Sequence, residues 1–144
     1  MRNPFEHYFA GENLYVKTVT PVCEKHKLTY MEFTVLMFLA NNPEYDTASE
    51  IVKYRHLTKS HVSISIRSLQ ERGLLSTEYR DGNRRIVHLR LLDSAALIIS
   101  DGKAAQKEFE QILFAGFNND ERFSMDQFME RIDRNIELHA KNNK

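Results

Sequence analysis

Apolar residues recur at helical spacing along most of the chain, and one short stretch near its middle alternates instead. Within residues 59–72, Val62, Ile66 and Leu69 share one side of a helical wheel, which predicts a helix with one buried face. Residues 87–91 alternate apolar and polar side chains, which is the period of a half-buried strand. The pattern predicts helices over about residues 8–26, 30–41, 48–54, 59–72, 94–117 and 125–141, and strands over 75–79 and 86–91.

Capping residues predict where several of these helices begin. In the pair Thr29 and Glu32, each side chain can bond the backbone N–H of the other residue, which makes a capping box. The predicted N-caps are Thr29, Thr47, Thr58, Asp93 and Ser124, with Glu50 and Gln127 completing the boxes of Thr47 and Ser124. Gly73 can end the fourth helix in a left-handed conformation. Asp81-Gly82 predicts a tight hairpin turn between the two strands.

A length of 144 residues with 42% hydrophobic residues suits one domain with a buried core, or one domain with an attached assembly element. The longest apolar run, about Val35–Ala40, is far shorter than the roughly 18 residues that would suggest a membrane span. The first residues show no apolar signal segment, and a lone Cys23 cannot form an intrachain disulfide. We therefore expect a cytoplasmic protein without a membrane partner.

The formal net charge of zero conceals a strong separation of charge. Nine of the 20 Lys and Arg residues fall between Lys53 and Arg90, against three carboxylates, so this window carries +6. The other 106 residues carry −6. A basic segment inside an otherwise acidic chain predicts an anionic partner.

The exposed face predicted for the fourth helix suits the major groove of DNA. It carries Ser60, Ile64 and Arg67, with His61 and Ser63 beside them. Small hydroxyl groups permit close approach, arginine can bond O6 and N7 of guanine, and isoleucine can contact a thymine methyl group. The alternative is an ordinary solvated face, although such faces usually favour Glu and Lys over Ser and His.

The predicted hairpin has a basic tip, with Arg80 before the turn and Arg84 and Arg85 after it. Arginine is attracted by the negative potential of a narrow minor groove, so we predict that Arg84 and Arg85 enter it. Lys59 and Thr47 are predicted to hold the phosphate backbone. The predicted DNA-binding residues are Thr47, Lys59, Ser60, His61, Ser63, Ile64, Arg67, Asn83, Arg84 and Arg85. The alternative for the tip is a loop made basic for solubility.

These segments resemble the MarR-type winged-helix transcriptional regulators. The resemblance is carried by Leu28-Thr29-Tyr30, Lys59-Ser60-His61-Val62-Ser63, Leu69-Gln70-Glu71-Arg72-Gly73-Leu74 and Asn83-Arg84-Arg85. It implies a mainly α fold with a small β-hairpin wing. A winged helix-turn-helix core at residues 29–92 would lie between dimerisation helices at 1–28 and 93–144. It also implies a sequence-specific regulator, a ligand-responsive repressor that binds a palindromic operator in double-stranded DNA as a homodimer.

Three positions depart from the family pattern. The wing of relatives commonly has an acid two residues before an arginine, and here Asn83 replaces it, so that Arg85 loses a charged partner. Ile64 stands where relatives often have arginine. The Leu-Thr pair that follows the last strand in the family is Leu91-Leu92 in this chain.

Apolar stripes on the terminal helices predict a dimer interface. The stripes comprise Leu14, Val19 and Val22 on the first helix, Phe109, Ile112, Leu113 and Phe117 on the fifth, and Met125, Phe128, Met129, Ile132 and Ile136 on the sixth. A homodimer would place its two fourth helices about one helical turn of DNA apart, ~34 Å. The alternative is a monomer that folds these helices back on itself.

No cofactor, metal site or catalytic site is predicted, so we expect that the protein is not an enzyme. The six histidines lack metal-ligand spacing, and neither a Gly-rich phosphate loop nor a nucleophile elbow occurs. Cys23 is interpreted as a buried thiol, because the reactive cysteine of some relatives lies further upstream. The resemblance also implies a small-molecule effector, whose pocket Tyr8, Tyr15 and Tyr30 could line. Two alternatives stay open: a winged-helix protein-interaction module, or a small-molecule or redox sensor that does not bind DNA directly.

Overall fold

The computed structural model describes residues 3–142, which form helices and one antiparallel hairpin. The elements are α1 (Pro4–Lys25), α2 (Tyr30–Asn41), α3 (Ala48–Arg55), α4 (Lys59–Glu71), β1 (Leu75–Arg80), β2 (Asn83–Leu91), α5 (Ala96–Leu113) and α6 (Asn119–Asn142). A single 3-10 turn, Asp93–Ala95, precedes α5. The prediction of a mainly α fold with a small hairpin wing is confirmed.

Three of the predicted helix starts are confirmed. Thr29 and Thr47 each form a complete capping box, in which the hydroxyl accepts from the backbone N–H three residues ahead and the glutamate there accepts in return. The hydroxyl of Thr58 accepts from the N–H of His61 at the start of α4. Each of these bonds satisfies a backbone donor that the first helical turn leaves free.

Two other predicted starts are wrong. Asp93 lies inside the 3-10 turn, where Leu92 occupies the capping position without a side-chain bond. Ser124 lies within α6, which begins at Asn119. The side chain of Asn118 accepts from the N–H of Glu121 at 2.9 Å, and Glu121 accepts from the N–H of Asn118 at 3.0 Å. Gly116, with a φ of +85°, turns the chain after α5 and lets α6 start early.

The chain forms two compact units, the first ending at Phe109 and the second beginning at Glu110. In the first unit α2 is the central element, since residues 32–39 are all buried. A Cβ added at Gly102 of α5 would lie 2.5 Å from Sδ of Met37 on α2, so the glycine permits a close approach of these helices. Asp101 ties α5 to the end of α1, with one carboxylate oxygen 2.9 Å from Nζ of Lys25 and 2.7 Å from Nε2 of His26.

The hairpin of β1 and β2, hereafter the wing, is regular at its base and irregular toward its tip. Leu75 pairs with Leu91 and Thr77 with Leu89, and the regular register continues to Glu78. The register then shifts before the pair formed by the last residue of β1 and the first of β2. Asp81 and Gly82 both have positive φ, 54° and 71°, as the favoured two-residue hairpin turn requires.

The second unit consists of the end of α5 and the whole of α6. The guanidinium of Arg122 lies 3.6 Å from the ring centroid of Phe114 and donates to Glu110 at 3.0 Å. None of the described side chains of α6 is buried. Across residues 3–142, no helix has the length and apolar character needed to cross a membrane.

Candidate nucleic-acid interface

The fourth helix, α4, buries one face and exposes the other. Val62 and Leu69 are fully buried, as predicted, but Ser65 completes the buried face while Ile66 is half-buried at its edge. The opposite face exposes Ser60, His61, Ser63, Ile64 and Arg67. Ile64, in the middle of this face, is 63% exposed.

A buried hydrogen bond fixes α4 against α2. Ser68 donates its hydroxyl hydrogen to Oε2 of Glu32 at 2.7 Å, and the other oxygen of Glu32 serves the capping box of α2. Burial alone would raise the pKa of Glu32, but the bonds from Thr29 and Ser68 outweigh it and lower the pKa below its usual value. The charged carboxylate of Glu32 therefore links α2 to α4.

Two arginines of the basic segment, residues 53–90, bind other groups of the same chain. Arg72, at the end of α4, donates to the backbone carbonyls of His26 at 2.8 Å and Lys27 at 3.0 Å. Arg80 lies 2.7 Å from Glu78 and 2.8 Å from Asp46. Arg80 therefore differs from the other two arginines of the basic tip, because two carboxylates already bind its guanidinium.

Asp46, in the loop before α3, contacts both strands of the wing. Besides Arg80 on β1, it bonds Nδ1 of His88 on β2 at 2.7 Å, and its backbone carbonyl accepts from the N–H of Leu89 at 2.7 Å. Partial burial raises the pKa of Asp46, but the hydrogen bonds from His88 and Arg80 lower it to a net value below the usual range. We call Asp46, Arg80 and His88 the Asp46 cluster. No sequence pattern marks this cluster, because Asp46 lies far along the chain from both Arg80 and His88.

At the tip, Asn83 shapes the backbone. Its Oδ1 accepts from the backbone N–H of Arg85 at 2.9 Å. Arg84 and Arg85 are exposed, and within residues 3–142 their guanidinium groups make neither a hydrogen bond nor an ion pair. The same is true of the guanidinium of Arg67 in this part of the chain. These three charges are thus free to meet a partner.

An open groove of about 260 Å³ separates α4 from the wing. It is lined by Ala48, Ser63, Ile66, Arg67, Gln70, Thr77, Val87 and Leu89. Gln70 spans its floor, with Nε2 3.5 Å from the hydroxyl of Thr77. Arg67 on one wall and the strand that leads to Arg85 on the other therefore border the same space.

Thr47 and Lys59 lie at the starts of α3 and α4. The hydroxyl of Thr47 is committed to its capping box, donating to Oε1 of Glu50 at 2.8 Å, and the residue is half-buried. Lys59 is exposed at the first position of α4. The caps of the two helix starts accept from the backbone N–H groups of Glu50 and His61.

Comparison with known proteins matches residues 26–86 to the model of the MarR family. This segment contains α2, α3, α4, β1 and the tip of the wing. The winged core of the chain is therefore similar to the MarR family over this segment. No curated protein matches the sequence.

Solved structures of MarR type extend the likeness over nearly the whole chain. The transcriptional regulator SlyA matches with a TM-score of 0.83 at 12% identity, covering 99% of this chain and 100% of its own. MepR of S. aureus, in complex with DNA, matches with 0.74 at 18%, covering 94% and 96%. BpsR of Bordetella bronchiseptica, whose DNA binding is regulated by 6-hydroxynicotinic acid, matches with 0.69 at 20%, covering 92% and 94%. At these identities the matches establish the fold.

A second, smaller cavity lies within the first unit of the chain. It measures about 90 Å³ and is lined by Tyr15, Thr34, Met37, Phe38, Asn41, Asn42, Arg55 and Gln106. Gln106 crosses it, donating to the hydroxyl of Tyr15 and accepting from Asn41, both at 2.9 Å. Of the three tyrosines suggested for an effector pocket, Tyr15 lines this cavity, whereas Tyr8 is 65% exposed.

Cys23 of α1 is buried, with 7% of its surface exposed. Burial raises the pKa of its thiol, so the reactive thiolate is disfavoured at neutral pH. This environment suits the structural thiol that the sequence indicated.

Proposed function

We propose that the protein is a transcriptional regulator that binds double-stranded DNA in a sequence-specific manner. The observation that carries the proposal is the groove that α4 and the wing border together. Arg67 lines this groove, Arg84 and Arg85 lie at the tip of the same wing, and none of the three guanidinium groups has a hydrogen-bond or ion-pair partner in the described chain. A major-groove helix with an adjacent minor-groove wing requires this arrangement of positive charge.

In this proposal each group of residues has its own role. Ser60, His61, Ser63, Ile64 and Arg67 read base edges from α4, and Arg84 and Arg85 enter the minor groove while Asn83 shapes their backbone. Lys59 and Thr47 contact the phosphate backbone, which positions the protein without specifying sequence. The hydroxyl and the backbone N–H of Thr47 both donate to Oε1 of Glu50, so a phosphate reaches either donor only by displacing that carboxylate.

We further propose that the protein acts as a homodimer on a palindromic operator. On α6, Phe128, Met129, Ile132 and Ile136 are 47–59% exposed and lie at helical spacing. The predicted α1 stripe is wrong for Val19, which is fully buried in the core of its own chain, and Val22 packs against that core. The exposed apolar side chains of α1 are instead Phe5, Tyr8 and Phe9, at 62–65%. Groups of exposed apolar side chains on terminal helices are typical of subunit interfaces. A two-fold dimer then implies two related half-sites about 34 Å apart.

Repression and its release by a small molecule complete the proposal. The 90 Å³ cavity lies between α1, α2, α3 and α5, and it combines tyrosine, amide and arginine side chains. A ligand that displaces Gln106 from Tyr15 and Asn41 would enlarge the cavity and shift α5 relative to α2. Such a ligand changes DNA affinity if it favours a dimer whose two α4 helices no longer match the operator spacing.

Selection of bound duplexes from a random pool tests sequence-specific DNA binding and the palindromic operator. The expected result is a palindromic motif, with an affinity that falls by roughly 10³–10⁵ between 50 and 200 mM salt if about 6–10 phosphates are contacted. Recovery of no motif, together with binding that is insensitive to salt, would instead support a protein-interaction module.

Two substitutions test the division of roles on α4. Arg67→Ala is expected to remove about 1–3 kcal/mol of discrimination at one base pair, and Lys59→Ala to weaken all duplexes alike. Fluorescence anisotropy on the selected and on a scrambled duplex measures both. Identical behaviour of the two variants on both duplexes contradicts the assigned roles.

A further inference from the structure

The wing needs a support that its own strands do not supply. It is a two-stranded hairpin, which is marginally stable in isolation, and its pairing is irregular between Glu78 and Arg80. The core holds its base, where Leu75 and Leu89 are buried, but Val87 and Ile86 further along are already 39% and 46% exposed. Burial therefore does not determine the direction in which the tip points.

Asp46 supplies contacts on the face of the wing opposite the core. In β2, Leu89 points into the core, so the neighbouring His88 points to the other face, where it meets one carboxylate oxygen of Asp46. Arg80, at the outer end of β1, meets the other oxygen. One carboxylate thus bridges the two strands close to the point at which their pairing becomes irregular.

Asp46 itself is held in place. Its backbone N–H donates to Oε1 of Glu50 at 3.3 Å, as part of the capping arrangement of α3, and its carbonyl accepts from Leu89. The side chain is 20% exposed, and the other charged group at the cluster is Glu78, which shares Arg80. The carboxylate is therefore a fixed point on the body of the domain, and the wing is the part that it can orient.

We infer that Asp46 is a positioning residue for DNA binding: through Arg80 and His88 it sets the direction of the wing, so that Arg84 and Arg85 reach the duplex contacted by α4. This inference rests on the proposed function. Asp46 and Arg80 do not touch DNA in this arrangement. Their effect on affinity passes entirely through the two arginines at the tip.

The first experiment examines the wing without DNA. Hydrogen exchange of the full chain is measured for the native protein, Asp46→Ala and Asp101→Ala. Asp101 is a matched control, because it also joins a histidine and a basic side chain but lies at the α1–α5 contact. Asp46→Ala is expected to raise exchange about tenfold in residues 78–88 and to leave α1 and α2 unchanged. Unchanged exchange in the wing overturns the inference.

The second experiment is a double-mutant cycle on the selected duplex. Asp46→Ala is expected to weaken binding about tenfold, the scale of one lost arginine contact. In the Arg84→Ala/Arg85→Ala background the same change should cost less than about twofold, because the contacts that it orients are gone. An equal loss in both backgrounds means that Asp46 acts through general stability, and the inference fails. Asp46→Asn, which keeps the shape and removes the charge, replaces alanine if that variant does not fold.

The two experiments separate failure of the inference from failure of the proposed function. If the native protein binds no duplex in a salt-dependent way, the proposed function fails, and the role of Asp46 in DNA binding fails with it. The exchange measurement still decides whether Asp46 orients the wing.

Discussion

Removal of the hydroxyl of Ser68 should weaken the attachment of α4 to the core. Ser68→Ala deletes the 2.7 Å bond to Oε2 of Glu32 and leaves that oxygen of a carboxylate that is 6% exposed without its side-chain donor. Hydrogen bonds to charged groups contribute about 1.5–3 kcal/mol. Since Ser68 is only half-buried and water can partly replace it, we expect a loss of about 1.5 kcal/mol in the free energy of unfolding.

The pH dependence of this loss of stability follows from the direction in which the folded protein shifts the pKa of Glu32. Because the folded protein lowers the pKa of Glu32, the associated stability is fully present above the usual value of 4.5 and disappears as pH falls through the lower folded pKa. Ser68 contributes to that lowering. The difference in stability between native protein and Ser68→Ala should therefore be constant near neutral pH and narrow in acid.

Urea denaturation of both proteins from neutral pH to acid measures the effect, with Ser60→Ala as the matched control. Ser60 lies on the same helix and is exposed, so its replacement should change stability by less than about 0.5 kcal/mol. A loss for Ser68→Ala no larger than for Ser60→Ala would refute the reasoning. So would a difference that does not narrow in acid, because the bond to an ionised Glu32 would then not be its source.

Further expectations concern packing, the end of α4 and the wing. Leu69→Ala, at a fully buried position, should cost about 2–5 kcal/mol in urea denaturation, whereas Leu97→Ala, at a position 61% exposed, should cost less than about 0.5 kcal/mol. Gly73→Ala should destabilise by about 1 kcal/mol, because its φ of +69° disfavours a side chain, and an unchanged unfolding midpoint would contradict this. Arg84→Ala should weaken binding most on duplexes whose minor groove is narrow at the wing position, and an equal loss on all duplexes would place Arg84 outside the minor groove.

The hydrogen bond from the backbone N–H of Arg85 to Oδ1 of Asn83 shows what asparagine does at the wing position where the family commonly has an acid. The sequence indicated that Asn83 replaces an acid and so deprives Arg85 of a charged partner. The structure shows the bond on the backbone N–H, so Asn83 organises the chain next to the turn and leaves the guanidinium of Arg85 free. The acid that the family commonly has in the wing is not needed to order this segment.

The local sequence by itself determined the secondary structure of the winged core. Capping boxes, Gly73 and Asp81-Gly82 act over three or four residues, and α2 runs from Tyr30 to Asn41 as predicted. Capping residues predicted the wrong start for α6. Two pairs that could form a capping box, Asn118 with Glu121 and Ser124 with Gln127, lie six residues apart in the sequence. The turn at Gly116 decided between them.

Tertiary structure alone decided which charges of the basic window are available. Arg72 and Arg80 look like Arg67 and Arg84 in the sequence, but each bonds a group 34–46 residues earlier in the chain. The amino-acid composition counts all of these arginines equally. The neighbouring residues in the sequence do not show whether a guanidinium binds a group of the same chain or a separate partner. Only the folded chain brings Asp46 against the wing and the carbonyls of His26 and Lys27 against α4, and thereby leaves the remaining arginines for a partner.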